Sequence, residues 1–539
     1  MARQLFTNTR AWLALTASLV VLNASLTFDN VWPTPTIRWA NALSVELAAC
    51  VLLLAAARGI TERPPLRALA AIWVALVAGH YLDVTAPALY GREFNLYWDS
   101  AHLGNVAAML ARAVPWWLVA AVVGLAVLAA ALAYVAARAA IGRVWAAMQH
   151  RPSRLVLGSL AGLAVAVFAG QQLSDRAPAE TAFARPVTPA YVRQARYVVA
   201  TIGPTAVTPP LGPSPPLDRA LRGLGGADVL LIFLESYGAV TYDTPEIAAG
   251  VAAGRADLLA AIGETRRRVV SAYVESPTFG GSSWLAHLSL LSGVDVHDQY
   301  AYTSLMASRR DTLVTTFARR GYRTVALMPG MRQAWPEGAF YRFDAVYDRD
   351  RFEYQGPQFG WWSIPDQYAL ATLDGLERQR PLRAPLFVVF PTSTTHAPFG
   401  PVAPYQPDWP RVLTATPYDQ ADVERAMAAT PDLTNLRPAY VRAMTYEYLS
   451  LAGYLRQQAD DLLLIAIGDH QPPAAVSGPD APWQVPVHVI GGRDHVLERL
   501  IEDGFQPGLE PRRPALGRMH ALVPMLLDAF DALDDRADQ

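Results

Sequence analysis

The sequence predicts a membrane α-helical bundle of five spans, followed by an α/β domain with a mostly parallel sheet flanked by helices. Three observations predict it. Long apolar stretches crowd the region before about Gln172, arginines flank those stretches unevenly, and short apolar runs alternate with helical patterns thereafter. At 539 residues the chain exceeds one hydrophobic core. Only 17% of residues are charged and 52% are hydrophobic, for a mean hydropathy of +0.16, and the apolar excess lies at the front.

Crossing a bilayer takes about 20 apolar residues. Five stretches are candidates: 11–28, 39–57, 68–89, 115–137 and 155–172. Arg3 and Arg10 precede the first, as in a signal peptide, but four more spans behind it make a retained anchor the expectation. Arg3, Arg10, Arg58, Arg63, Arg67, Arg138, Arg143, Arg151 and Arg154 fall on one side of this arrangement, and only Arg38, Arg92 and Arg112 on the other. Positive residues collect in cytoplasmic loops. The expectation is therefore a cytoplasmic N-terminus in a bacterial inner membrane, with everything after Gln172 outside.

The outer end of the third span carries His80, Tyr81 and Asp83, followed by Tyr90, Arg92, Tyr97, Trp98 and Asp99. Aromatic residues anchor spans at the headgroup level. Polar groups at a span's end also suit a site for a lipid headgroup. Residues 174–226 turn Pro-rich and aperiodic, as in the run from Thr208 to Pro216, and read as an extracytoplasmic linker. The expected division is thus 1–173 for the spans, 174–226 for the linker and 227–539 for the catalytic domain.

In that last part, apolar runs without alternation at 229–234, 269–274, 324–328, 386–390, 462–467 and 485–490 suit strands buried on both faces. Helical patterns at 247–262, 305–320, 440–458 and 521–533 lie between or after them. Such alternation predicts a covered, mostly parallel sheet, and sites in these sheets lie beyond the carboxyl ends of the strands.

The residues just past the strands carry the chemistry. Glu235, Ser236, Tyr237 and Gly238 follow the first run; Thr392 to Phe399, including His396, follow the fourth; Gly468, Asp469, His470 and Gln471 follow the fifth. Pro277 to Trp284, with Gly280, Gly281, Ser282 and Ser283, lead into a helix beginning near Ser282. Two carboxylates and a histidine at strand ends can form a metal site, and a hydroxyl at a helix N-terminus can attack an anion bound there. Each element also has a plainer reading: Asp469 and His470 as a helix cap, the Gly-Gly-Ser-Ser turn as a loop with an N-cap, His396 as a satisfied loop histidine. Glu235 resists such a reading, because a buried carboxylate without a partner is costly. The formal charge of −2 argues against a nucleic-acid partner. All basic residues are arginine, and the single cysteine, Cys50, leaves no disulfide, Cys-based zinc site or catalytic cysteine.

This set, Glu-Ser-Tyr-Gly, Gly-Gly-Ser-Ser, Thr-His-Ala-Pro-Phe and Gly-Asp-His, resembles the lipoteichoic acid synthase/phosphoglycerol transferase group. That group lies in the sulfatase-like alkaline phosphatase superfamily, as do the phosphoethanolamine transferases. The resemblance covers nearly the whole chain, the five spans included. It implies one divalent metal ion (Mn, Mg or Zn) held by Glu235, Asp469, His470 and the nucleophile. That nucleophile falls on Ser282, with Ser283 adjacent and the register open by one residue. His396 is implied as the histidine that binds phosphate or assists the leaving group. Trp335, Arg332 and Asp366 are implied in the substrate pocket, although Glu337 stands where the group keeps an arginine. The segment around Ser282 lacks the Pro and Arg of a formylglycine motif, which disfavours classical sulfatase activity. The implied function is transfer of a phosphoalcohol from a lipid donor to a cell-envelope acceptor through a Ser-linked intermediate. A phosphodiesterase or other hydrolase with the same site is the alternative, and an inactive membrane scaffold the more distant one. The implied partners are a membrane lipid and an envelope glycan.

Overall fold

The computed structural model describes residues 9–533 apart from 32–33, 59–63, 91–93, 102–103, 105–106, 108–114, 174–181, 203–210, 332–334, 361–363, 459–460 and 479–480. Arg3, Arg63, Arg92 and Arg112 of the topology argument, and Arg332 of the implied pocket, lie outside the described residues. The chain divides into two compact units: residues 1–89 with 93–206, and residues 207–539 with 90–92.

The first unit is helical. All five predicted spans fall on helices: α1 (Thr9–Ala24), α2 (Val45–Ala57), α3 (Leu66–Tyr90), α4 (Trp116–Met148) and α5 (Arg151–Leu173). Among the described residues only three helices, α3 to α5, are long and apolar enough to cross a membrane. At 1.5 Å per residue, α1 and α2 extend roughly 24 and 20 Å, short of a hydrocarbon core of about 30 Å. Leu22, Leu54, Ile141, Val144 and Met148 pack into a shared core. The first half of α4 instead presents bare apolar side chains, with Trp116 80%, Leu125 67% and Leu132 62% exposed. A water-facing helix would not do so.

Part of the stretch read as a linker is folded. Helix α6 (Thr188–Ile202) belongs to the first unit. Its start is capped by Glu46, whose carboxylate accepts from Val187 N (2.6 Å) and Thr188 N (3.2 Å), and Arg193 pairs with Asp83 at 2.9 Å. Further on, Leu217, Leu221 and Leu224 are buried in a core of the second unit. Apolar residues spaced along an otherwise Pro-rich segment found partners that composition alone does not reveal.

The second unit is an α/β sandwich. Its strands are β1 (Asp228–Leu234), β2 (Arg268–Glu275), β3 (Arg323–Met328), β4 (Ala345–Asp348), β5 (Leu386–Pro391), β6 (Leu462–Gly468), β7 (Gln484–Gly491) and β8 (Gln506–Pro507). They form one sheet in the order β8-β2-β7-β6-β1-β5-β3-β4. From β6 through β1, β5 and β3 to β4 all pairings are parallel. Strand β7 runs antiparallel to both β6 and β2, and β8 antiparallel to β2. The sheet is therefore mixed. All six predicted strands are present, while β4 and β8 are too short to show as apolar runs.

Alternation along the strands makes two cores. Val229, Leu231 and Phe233 of β1 face one core, together with helices α8 (Ser283–Ser292), α9 (Leu313–Arg319), α12 (Asp494–Glu502) and α13 (Leu522–Asp531). Leu230, Ile232 and Leu234 face the other, with α7 (Pro245–Glu264), α10 (Asp366–Leu373) and α11 (Arg437–Gln457). The predicted helix at 305–320 is broken. A helix ends at Met306, and Thr312 starts α9 with a reciprocal capping box to Thr315.

Candidate active site

The site lies at the carboxyl ends of the two central strands. Strands β1 and β6 pair in parallel from Asp228↔Leu462 to Leu234↔Gly468, so the next residues of each emerge side by side. Gly468 makes this approach possible, since a Cβ there would lie 1.8 Å from Tyr237 O. Glu235, Asp469 and His470, all buried, bring one ligand atom each to within 4.8 Å of one another. His470 Nε2 is 3.3 Å from Glu235 Oε1 and 3.8 Å from Asp469 Oδ2. Each is held from behind. Glu235 N donates to Thr392 Oγ1 (3.1 Å), Asp469 Oδ1 accepts from Ser236 N (2.8 Å) and His470 N (2.7 Å), and His470 Nδ1 faces Gln471 O at 2.7 Å.

The hydroxyl in the cluster belongs to Ser283, not to Ser282. Ser283 Oγ is 2.9 Å from Glu235 Oε2 and 3.1 Å from His470 Nε2. The turn before it explains the shift of one residue. Gly280, Gly281 and Ser282 all have positive φ (66°, 149° and 63°), and Thr278 Oγ1 donates to Gly281 O at 2.6 Å. Ser282 is spent on the left-handed step that closes the turn, so α8 starts at Ser283. Side chains on a helix lean toward its N-terminus. The first helical side chain is therefore the one aimed at the strand ends.

Charge in this pocket is crowded. Burial opposes ionisation of Glu235, but the charge and hydrogen bond of His470, with a further contribution from His396, hold its carboxyl well below the ordinary range. Asp469 is pushed the other way, first by burial and then by the charge of Glu235. Burial alone would lower His470; the carboxylates of Asp469 and Glu235 overcome it and push it up to about 9. The two carboxylates thus favour a positive charge at this spot. Asp469 Oδ2 is buried without a hydrogen-bond partner. Carboxylates of this kind, one imidazole and a hydroxyl form an oxygen-rich donor set suited to a divalent cation, and the orphaned Oδ2 is an acceptor left for it. The residues fit the implied metal.

The other implied residues are placed differently. His396, half-buried beyond β5, has Nδ1 2.7 Å from Ala397 O and lies close enough for its charge to bear on Glu235. It lines a shallow recess with Phe359, Ile364, Pro365 and Thr394. Asp366 was expected in the substrate pocket but is fully buried beneath that loop. It accepts from Ser393 N (3.0 Å), Ser393 Oγ (3.2 Å) and Thr394 N (2.7 Å), so it supports the segment carrying His396. Trp335 is half-buried, its ring 5.5 Å from that of Tyr341 and packed over Gly338. In the C-terminal half of α3, His80 Nε2 is taken up by Phe28 O at 2.7 Å and Tyr81 donates to Pro35 O at 2.8 Å.

Sequence reasoning missed His287. It lies one turn after Ser283 on the same face of α8, 3.8 Å from Asp469 Oδ2, with its ring 4.3 Å from that of Phe233. The i, i+4 spacing from Ser283 was the available signal.

The fold and this strand-end cluster define an α/β domain with a candidate metal-dependent active site. More narrowly, residues 275–489, a segment that holds Ser283, His396, Asp469 and His470, match the sulfatase family model. Solved structures with a similar fold include the integral membrane lipooligosaccharide phosphoethanolamine transferase A of Neisseria meningitidis (16% identity, 97% of this chain and 95% of that one, TM-score 0.45). The lipoteichoic acid synthase LtaP of Listeria monocytogenes is another (12% identity, 60% and 76%, TM-score 0.38). A third is the Streptococcus pyogenes phosphoglycerol transferase GacH in complex with sn-glycerol-1-phosphate (13% identity, 58% and 77%, TM-score 0.36). No curated protein sequence matches the chain.

Proposed function

We propose that this protein is a membrane-anchored, metal-dependent transferase that moves a phosphoalcohol group from a lipid donor to a cell-envelope acceptor, with Ser283 carrying the group between them. The observation that supports it best is the Ser283 hydroxyl, within hydrogen-bonding distance of both Glu235 and His470 at the mouth of paired strands. In this reading α1 and α2, with α3 to α5, make five spans, the N-terminus is cytoplasmic, and the catalytic unit lies outside the inner membrane.

Glu235, Asp469, His470 and Ser283 would hold a divalent cation, which when bound stabilises an alkoxide and offsets charge on a phosphoryl group. The protein's own residues do the rest. Glu235 accepts the hydrogen bond from Ser283 Oγ, orients it for attack on phosphorus and takes up its proton as the new bond forms. The Ser283–phosphorus bond forms as the bond to the lipid alcohol breaks. Backbone N–H groups in the first turn of α8 face the negative charge that builds on the phosphoryl oxygens. His396, beside Glu235, supplies a proton to the departing alcohol and later takes one from the acceptor hydroxyl. Buried side chains behind the cluster limit water.

The test uses purified full-length protein loaded with Mn, Mg or Zn and given headgroup-labelled phospholipids, with and without envelope glycans. Diacylglycerol together with labelled glycan is expected. Diacylglycerol with only free phospho-headgroup, whatever acceptor is offered, would make the protein a hydrolase. No turnover with any metal would leave a non-lipid substrate or a scaffold. A chelator should abolish whichever activity is present.

A further inference from the structure

A second cavity opens on the same edge of the sheet as the Ser283 cluster. Strands β6, β7 and β2 are neighbours, and Glu275 at the end of β2 pairs in register with Gln484 at the start of β7. Adjacent strands are about 4.8 Å apart, so the cavity begins within roughly two strand spacings of Asp469. The link is also direct: Ser276, in the cavity wall, donates through Oγ to Asp469 O at 2.5 Å. The space measures about 570 Å³, within the range of roughly 300–1,000 Å³ usual for small-ligand sites.

Its chemistry differs from that of the metal cluster. Trp483 is 43% exposed, and its ring rests on Phe279 with centroids 5.7 Å apart, so a broad aromatic surface is held in place at the rim. Around it stand Glu275, Gln484, Asp295 and His520. The Nδ1 of His520 is buried and makes no hydrogen bond. Burial also lowers the pKa of His520, which keeps it neutral near pH 7 and able to donate or accept. Two guanidiniums lie nearby and both are paired: Arg518 with Asp295, and Arg513, which also donates to Gln484 Oε1 at 2.7 Å, with Asp243. Glu275 adds a further carboxylate, so the wall has no surplus positive charge. An anionic headgroup would be repelled here, whereas a neutral polyol can lay its C–H face on the indole and direct its hydroxyls to the carboxylates, amide and imidazole.

We infer that this cavity is the acceptor subsite and takes a neutral saccharide, one of whose hydroxyls is presented to the group carried on Ser283. This rests on the transferase reading, and it names the acceptor's chemical class and the wall that recognises it. In the transfer step the saccharide oxygen bonds to phosphorus as the Ser283 Oγ–phosphorus bond breaks. The saccharide proton leaves to His396, and Ser283 recovers its own proton from Glu235.

Two measurements on the full-length protein in detergent test it. Calorimetric titration with neutral glucose oligomers, cellohexaose and laminarihexaose, should show binding that Trp483→Ala weakens by about tenfold or more, the scale of one lost aromatic anchor. Trp483→Phe should retain most of it, and Glu275→Gln should weaken it without disturbing the fold. Diacylglycerol release without any acceptor should be the same in all three variants and the wild type. Binding indifferent to Trp483→Ala and Glu275→Gln, no binding of either oligomer, or displacement of a bound oligomer by glycerol phosphate would overturn the assignment. The two readings can fail separately. Diacylglycerol release with no saccharide binding removes the subsite and leaves lipid cleavage standing. Saccharide binding lost in Trp483→Ala, with no phospholipid turned over, keeps the subsite and removes the transferase.

Discussion

Replacing Ser283 by alanine is the most direct test of the chemistry, because its neighbour provides an internal control. Ser283 Oγ is the hydroxyl placed 2.9 Å from Glu235 and 3.1 Å from His470, whereas Ser282 occupies a left-handed turn with φ 63° and makes no capping bond. Losing a covalent nucleophile removes the two-step route altogether. We expect a fall in turnover of about 10⁴-fold or more, about 5.4 kcal/mol at 1.36 kcal/mol per decade. The fold should survive, since the side chain leaves only small acceptors to be rehydrated, at a cost of about 1–3 kcal/mol. Ser282→Gly should do the opposite. A left-handed L-residue costs roughly 1–2 kcal/mol, of which glycine's extra chain entropy takes back about 0.5–1. Stability should therefore rise slightly, with activity within about threefold of wild type. The assay is diacylglycerol release from labelled phospholipid, with peptide mass spectrometry of acceptor-free reactions to find the phospho-adduct. Activity above a tenth of wild type in Ser283→Ala, or an adduct on Ser282, would refute the assignment.

Three further outcomes are expected. Asp228 is buried at the start of β1, receives both Arg383 guanidinium nitrogens at 2.7 Å and Leu386 N at 2.9 Å, and pairs with Arg378 at 2.9 Å. Asp228→Ala should cost about 3–5 kcal/mol by stranding those charges, read as a lowered denaturant midpoint. Glu447, buried against Asp366, has its pKa raised well above the ordinary value by burial first and then by the charge of Asp366. A raised carboxyl favours the folded state fully below its unfolded pKa, and that contribution is lost as pH rises through the folded value. Glu447→Gln should therefore flatten the decline of melting temperature as pH rises above the ordinary carboxylate range, and an unchanged slope would exclude Glu447 as its source. For topology, reporters fused after Gln172 and at Gln539 should be active only outside the cytoplasm; cytoplasmic activity at Gln539 would remove the orientation.

The strands that carry the site were legible because a sheet covered on both faces needs unbroken apolar runs, and β1, β5 and β6 have them. Reading the residues just beyond them was then enough to single out Glu235, Asp469 and His470, which the fold brings together. Helix α8 was legible, but its first residue was not. Which of two serines leads the helix depends on backbone torsions at Gly281 and Ser282, and those are fixed by contacts such as Thr278 to Gly281 that composition does not encode. Asp366 misled for a related reason. A carboxylate beside a strand-end loop can face a substrate or brace that loop from below, and only burial separates the two. The antiparallel sense of β7 was likewise hidden, since a strand buried on both faces has the same apolar run in either direction.

The proposed metal ligands sit far apart in the chain, at Glu235 on one side and at Asp469 and His470 on the other, and meet only because β1 and β6 pair along their full length. An unfolded chain offers no such cluster. A cation that binds the folded domain therefore adds to its stability by mass action, about 4.1 kcal/mol when free metal is a thousandfold above its dissociation constant. The ion and the sheet are then one thermodynamic unit, in which scarcity of metal is felt as a fragile fold as well as a silent enzyme. A chelator should shift the melting temperature of the catalytic unit even in the Ser283→Ala protein, where there is no turnover left to lose.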